Sequence, residues 1–113
     1  MNDCLFCKVV AGDIPSTIVH HTSDMAAFRD ISPQAPTHIL VVPTKHIASV
    51  ADLQAEDANL IGSLIISASE VAKAEGLDQG YRLVINIGKQ GGQLVNHLHI
   101  HILGGRQMNW PPG

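Results

Sequence analysis

Aromatic residues are scarce in this chain: two Phe, one Tyr and one Trp make up 4% of its 113 residues. Its core must therefore be aliphatic, and a hydrophobic content of 45% supplies one. Charge is sparse too, at 15% of residues, with a formal net charge of −3 and no basic run. That excludes the electrostatic footprint of a protein that grips long nucleic acid through its phosphates. It does not exclude a small anionic ligand, which needs only local donors. No apolar stretch is long enough to span a bilayer. Met1-Asn2-Asp3 has no basic start and no signal-like apolar stretch after it, so a cytoplasmic protein without a membrane partner is expected. Cysteine is limited to Cys4 and Cys7, which cannot form the disulfide framework of a secreted domain. The length suits a single domain over residues 1–113 with one modest core.

Histidine is well represented, and its placement is ordered. In His97-Leu98-His99-Ile100-His101-Ile102-Leu103, imidazoles alternate with aliphatic residues at a period of two. On an extended backbone successive side chains point to opposite faces. Leu98, Ile100 and Ile102 would then face a core, while His97, His99 and His101 share the other face. Imidazole changes charge near neutral pH, and its neutral ring is a good nucleophile. An amphipathic strand that merely carries histidine on its polar side explains one such residue easily and all of them badly. Just upstream lies a glycine-rich turn, Gly88-Lys89-Gln90-Gly91-Gly92-Gln93.

Elsewhere the patterns are ordinary. Cys4 to Val10 reads as a short helix ending at Ala11-Gly12-Asp13, before Pro15. Thr17–His21 and Met25–Arg29 read as a hairpin, and His38–Val42 as a buried strand ended by Pro43. Asp30 to Pro36 holds two prolines and must be a rigid loop. Leu60, Ile61, Leu64, Ile65, Ala68, Val71 and Ala72 recur at a helical period, predicting one long helix from Ala55 to Glu75. Glu56 and Asp57 in its first turn and Lys73 in its last complement the helix dipole, and Gly76 is a natural cap. Tyr81–Asn86 is another strand. His20, His21 and Arg29 read as solvated surface. The lone Trp110, beside Pro111-Pro112, is expected to dock on a surface. Strands before and after one helix, without regular alternation, predict an α+β fold with an antiparallel sheet.

The segment His97–Leu103 resembles the signature of the histidine triad (HIT) superfamily of nucleotide-binding proteins. Asp30-Ile31-Ser32-Pro33-Gln34-Ala35-Pro36-Thr37-His38 and the tail Gly104 to Gly113 narrow the resemblance to its Hint branch, the purine nucleoside phosphoramidases. The resemblance implies a five-stranded antiparallel sheet with one long helix. It also implies a homodimer whose two sheets join, the C-terminal tail reaching toward the partner's active site. Its reaction would begin with attack by His99 on the α-phosphorus of a purine nucleoside phosphoramidate. An amine leaves, a nucleotidyl-histidine forms, and water releases AMP or GMP. The chemistry suits imidazole if one ring nitrogen is bare and the other donates to an acceptor that fixes the tautomer, such as a backbone carbonyl on the same strand. His101 can donate to a phosphoryl oxygen or to the leaving amine. His38 matches a family histidine behind the nucleophile.

With no lysine cluster nearby, phosphate donors must come from backbone N–H groups and histidines. Gly91 and Gly92 allow close backbone approach, Asn86 could hold the phosphate or ribose edge, and Gln93 supports the loop. Asp30 can accept from both ribose hydroxyls, although a carboxylate before Ser32-Pro33 also suits an Asx turn. Phe6, Val9, Phe28 and Ile31 match the apolar walls of the family's base pocket. Leu94 departs from the pattern, since several relatives carry a polar side chain there, and Asn96 stands where an aromatic residue is common. No cofactor is needed for catalysis. The Cys4-x-x-Cys7 pair is open to two readings, a reduced pair packed in the core or half of a structural zinc site. In C-x-x-C members of the superfamily the remaining ligand positions correspond to His46 and His97. Competing functions are dinucleoside polyphosphate hydrolysis, against which the Trp110–Gly113 tail weighs, and nucleotide sensing with little turnover.

Overall fold

A computed structural model describes residues 3–113. The fold is α+β. Helix α1 spans Leu5–Ala11, α2 spans Ala58–Ala74, and strands β1 (Ile18–His21), β2 (Met25–Arg29), β3 (Thr37–Pro43), β4 (Tyr81–Val84) and β5 (Ile100–Gly104) form a five-stranded sheet in the order β1-β2-β3-β5-β4. Every adjacent pair is antiparallel.

The period-two pattern divides the sheet into two differently covered faces. Met25, Ala27, Ile39, Val41, Ile100 and Ile102 pack on one side with Leu64, Ala68, Val71 and Ala72 of α2. Ala26, Phe28, Leu40 and Val42 face the other side, where Phe6 and Val9 of α1 close over them. Strand β3 is central and covered on both faces, which is why it reads as an unbroken apolar run. His38 and His101 share the face of Leu40 and Phe28, so α1 packs on the same side of the sheet as the imidazoles.

Helix α1 begins where Cys4 caps it, the thiol accepting the Cys7 N–H at 3.3 Å, and ends at Gly12, whose φ of +83° makes the left-handed cap that glycine favours. The long helix starts later than its periodicity predicts. Ala55–Asp57 forms a separate 3-10 turn, so Glu56 and Asp57 precede the α-helix rather than sit in its first turn. Asp57 is buried, accepting from the Gln54 N–H at 2.9 Å and from Lys45 Nζ at 2.8 Å. Strand β4 stops at Val84, two residues short of Asn86.

The histidine strand is also shorter than expected. The last ladder pair is Val41 with Ile100, so His97, Leu98 and His99 lie outside the ladder. The reason is local: β3 ends at Pro43, which has no N–H to offer, and the Pro43 carbonyl is taken by the His97 ring at 2.8 Å. Trp110 does not dock within the chain; it is 82% exposed. His20, His21 and Arg29 are exposed as expected, and Arg29 pairs with Glu75 at 2.9 Å. Among the described residues, no helix is long and apolar enough to cross a membrane.

Candidate active site

Strands β3 and β5 bring His38 and His101 together, with Nε2 of the first 2.9 Å from Nδ1 of the second. Fixed backbone groups determine where the protons lie in the neutral rings. The Gln34 N–H, which can only donate, points at His38 Nδ1 at 3.0 Å. His38 therefore carries its proton on Nε2 and donates it to His101 Nδ1, which leaves the His101 proton on Nε2. On the neighbouring ring the logic reverses. The carbonyl of His97 can only accept, so His99 Nδ1 donates to it at 2.7 Å and the lone pair stands on Nε2. The rings of His99 and His101 lie 5.0 Å apart, centre to centre. One thus presents a nucleophilic nitrogen beside the other's N–H donor.

Burial is the main force holding His38 and His101 neutral. It pushes His101 down to about 4, with nearby His99 and His38 acting in the same direction and Asp30 opposing. His38 is lowered as well, by burial, again against the pull of Asp30. Asp30 Oδ2 lies 3.5 Å from His38 Nε2, while Oδ1 accepts the Ser32 N–H at 2.8 Å. The Asx-type turn is therefore present, and one carboxylate oxygen is already engaged in it.

Phe6 sets its ring edge-on to His99 at 5.1 Å and to Phe28 at 5.4 Å, so α1 supplies an apolar wall beside the candidate nucleophile. Phe6, Val9 and Phe28 form one buried cluster. Ile31 does not join it, being 97% exposed on the proline-containing loop. Leu94 is likewise 94% exposed. The Asn86 amide donates to the Gly91 carbonyl at 2.8 Å, across the glycine turn. Gln93 points inward: its NH2 donates to the carbonyls of Ala48 and Val95 at 2.7 and 3.0 Å, and its oxygen accepts the Gly88 N–H at 3.2 Å. It staples the loop to the body of the protein.

His97 does not lie alongside the other two rings. It is completely buried, its Nε2–H donates to the Pro43 carbonyl, and its Nδ1 lone pair faces Cys4 Sγ at 3.2 Å, Cys7 Sγ at 3.4 Å and His46 Nδ1 at 3.2 Å. Cys7 Sγ also lies 3.3 Å from His46 Nδ1. The ligand atoms of Cys4, Cys7, His46 and His97 all fall within 4.8 Å of one another. Zinc bound by two sulfurs at about 2.3 Å and two nitrogens at about 2.0 Å has ligand–ligand edges of about 3.3–3.8 Å. The donor types and spacing fit such a tetrahedron. A cleft of about 460 Å³ opens beside this cluster, lined by residues that include Cys4, His46, Leu94 and Asn96; neither His99 nor His101 lines it.

The HIT domain family profile matches residues 11–108. The chain belongs to the HIT domain family. A HIT family hydrolase from Legionella pneumophila Philadelphia 1 superposes with a TM-score of 0.97 at 54% identity, covering 98% of this chain and 100% of that one. A histidine triad protein from Clostridium difficile superposes with a TM-score of 0.93 at 43% identity, covering 96% of each chain. In sequence, the 14 kDa zinc-binding protein of Brassica juncea is 49% identical over 98% of this chain and 100% of its own length.

Within this HIT domain, the positioning groups that sequence reasoning missed are backbone atoms. They are the Gln34 N–H and the carbonyls of Pro43 and Ile47. No side-chain pattern marks them. Only the two prolines around Gln34 and the strand-ending Pro43 hint that backbone groups there stay outside the ladder of β3 with β5.

Proposed function

We propose that this HIT protein hydrolyses the P–N bond of purine nucleoside phosphoramidates through a covalent nucleotidyl-histidine on His99. The observation that carries the reading is the 2.7 Å bond from His99 Nδ1 to the His97 carbonyl, which turns the lone pair to Nε2 beside the His101 N–H. The bond from His99 Nε2 to the α-phosphorus forms as the phosphorus–nitrogen bond breaks. The amine leaves as its nitrogen takes a proton from solvent water, with the His101 Nε2–H hydrogen-bonded to the departing nitrogen. Water then attacks phosphorus and returns a proton to solvent, the bond to Nε2 breaks, and the nucleoside monophosphate departs. The neutral His101 ring keeps its own proton throughout. A positioned donor of this kind contributes about 10²–10⁴-fold.

Asp30 and Asn86 would take the ribose and phosphate edges, with Ile31 and Leu94 at the exposed rim. Backbone N–H groups around Gly92 and Gln93 would cradle the phosphate. Phe6, Val9 and Phe28 would wall the base. Cys4, Cys7, His46 and His97 would hold zinc, as the name of the Brassica juncea relative supports. Four protein ligands leave the ion no open position, so it would serve as a structural cross-link. A homodimer in the cytoplasm completes the proposal.

Mass spectrometry of protein rapidly quenched with an adenosine phosphoramidate tests it. The expected result is one added nucleotidyl mass on the peptide containing His99. Full turnover by His99→Ala, or native protein that binds AMP and releases none from the phosphoramidate, would overturn the reading.

A further inference from the structure

The carbonyl that orients His99 is not held by the sheet. The ladder ends at Ile100, and the peptide unit joining His97 to Leu98 lies upstream of it. Its carbonyl accepts from His99 Nδ1, and its N–H donates to the carbonyl of Ile47 at 2.7 Å. Ile47 follows His46 directly, and the His97 side chain is fixed at Nε2 by the Pro43 carbonyl and at Nδ1 by the cluster of Cys4, Cys7 and His46. Both ends of this peptide unit therefore lead to the same group of side chains. The cluster reaches the nucleophile by a second route: Cys4 caps α1, Cys7 lies within it, and Phe6 between them packs edge-on against both His97 at 6.1 Å and His99 at 5.1 Å.

We infer that Cys4, Cys7 and His46 are positioning residues for the reaction. By gathering around His97 Nδ1 they fix the 97–98 peptide, and through its carbonyl the proton position and orientation of the His99 ring. The cluster is thus a lever on the active site as well as a staple for the N-terminal helix. Groups that orient a reacting or ligating histidine through its far nitrogen typically change activity by about 10–100-fold when removed.

The positioning matters for turnover only with His99 as the nucleophile proposed above, so the ring is read directly, apart from activity. Protein labelled with ¹⁵N-histidine is loaded with zinc, or with cadmium, a larger ion for the same donor set. At one fixed pH, the His99 ring nitrogens and the Nδ1–H proton are recorded for both. Both forms are checked for the same fold by backbone amide spectra. The expected result is a single Nδ1–H tautomer with a hydrogen-bonded proton in the zinc form, and a shifted His99 Nδ1–H signal in the cadmium form. In Cys7→Ser, the expected result is loss of that signal and a fall in kcat of about 10–100-fold with KM within about twofold. Identical His99 signals in the two metal forms would overturn the inference and leave the cluster as a fastening for α1. If Cys7→Ser does not fold, the two metal forms alone decide. Shifted His99 signals with no nucleotidyl adduct would keep the positioning and discard the reaction.

Discussion

His38 donates from Nε2 to His101 Nδ1 across 2.9 Å, and this bond selects which nitrogen of His101 carries its proton. The selection starts further back, at the Gln34 N–H, which can only donate to His38 Nδ1. A loop made rigid by Pro33 and Pro36 thereby dictates the proton position two rings away. His99, oriented by a carbonyl instead, has the opposite tautomer. Two adjacent imidazoles are thus given opposite tautomers, one by a backbone carbonyl directly and the other by a backbone N–H acting through the His38 ring.

Removing His38 should uncouple that selection. In His38→Ala the Gln34 N–H and His101 Nδ1 lose their partner together, and His101 can take either tautomer. We expect kcat toward an adenosine phosphoramidate to fall by about 10–100-fold with little change in KM. His38→Gln, which offers both an acceptor and a donor, should retain more activity than His38→Ala. Steady-state kinetics on the two variants check this, and equal losses would show that the tautomer is set elsewhere.

The fold was largely legible because its signals are local. The apolar residues Met25 to Phe28 and the apolar run of β3 place the sheet, and the helical period of Leu60 to Ala72 places α2. The site was legible to the extent that it uses side chains in recognisable order. His99 and His101 lie together, and Cys4, Cys7, His46 and His97 converge. For the His97 ring the two sequence signals disagree, and the C-x-x-C resemblance places it where alternation does not. Strict alternation puts it beside His99, yet the ladder fails at Pro43 and the side chain turns to the thiols. Ile31 shows the same limit from the other side, since an apolar residue in a rigid loop carries no sign of which way the loop turns it.

Stability should depend on pH through His101. Its folded value of about 4 lies below the ordinary 6.5, chiefly because the ring is buried and then because His99 and His38 stand nearby, with Asp30 pulling the other way. Between those values the unfolded chain binds a proton that the folded one refuses. Stability therefore rises with pH from about 4 to about 6.5, is complete above that range, and is lost as pH falls through it. The ring is only half-buried, so after discounting for solvent screening the contribution is about 1 kcal/mol. That corresponds to a few degrees of Tm. Thermal melts at pH 7 and pH 4.5 should show a smaller acid-induced drop for His101→Gln than for the native protein.

Metal content should follow the thiols. Protein purified without chelator is expected to carry about one zinc per chain, and Cys4→Ser/Cys7→Ser to carry almost none, because both sulfur donors are gone. Tm should fall in the double variant and in chelated native protein alike, since binding energy at such a site is also folding energy. Elemental analysis and calorimetry on the same samples check both statements. Equal metal content in the two proteins would place the ion elsewhere.

The glycine turn offers a test of the phosphate cradle that leaves every imidazole intact. A Cβ added at Gly91 would overlap the backbone carbonyl of Ile87, an obstacle that no side-chain rotation relieves. The Asn86 amide is bonded to the Gly91 carbonyl, so moving this residue also frees the side chain proposed to meet the ligand. The turn is exposed on the surface and packs in neither of the two buried clusters, so the cost should fall on binding more than on folding. Gly91→Ala is therefore expected to weaken AMP binding at least about tenfold, roughly 1.4 kcal/mol, while Tm changes by only a few degrees. Isothermal titration calorimetry with AMP, paired with a thermal melt, separates the two effects. Unchanged AMP affinity in a folded Gly91→Ala would mean that the phosphate is held away from this turn, and the backbone groups around Gly92 and Gln93 would lose their assigned role.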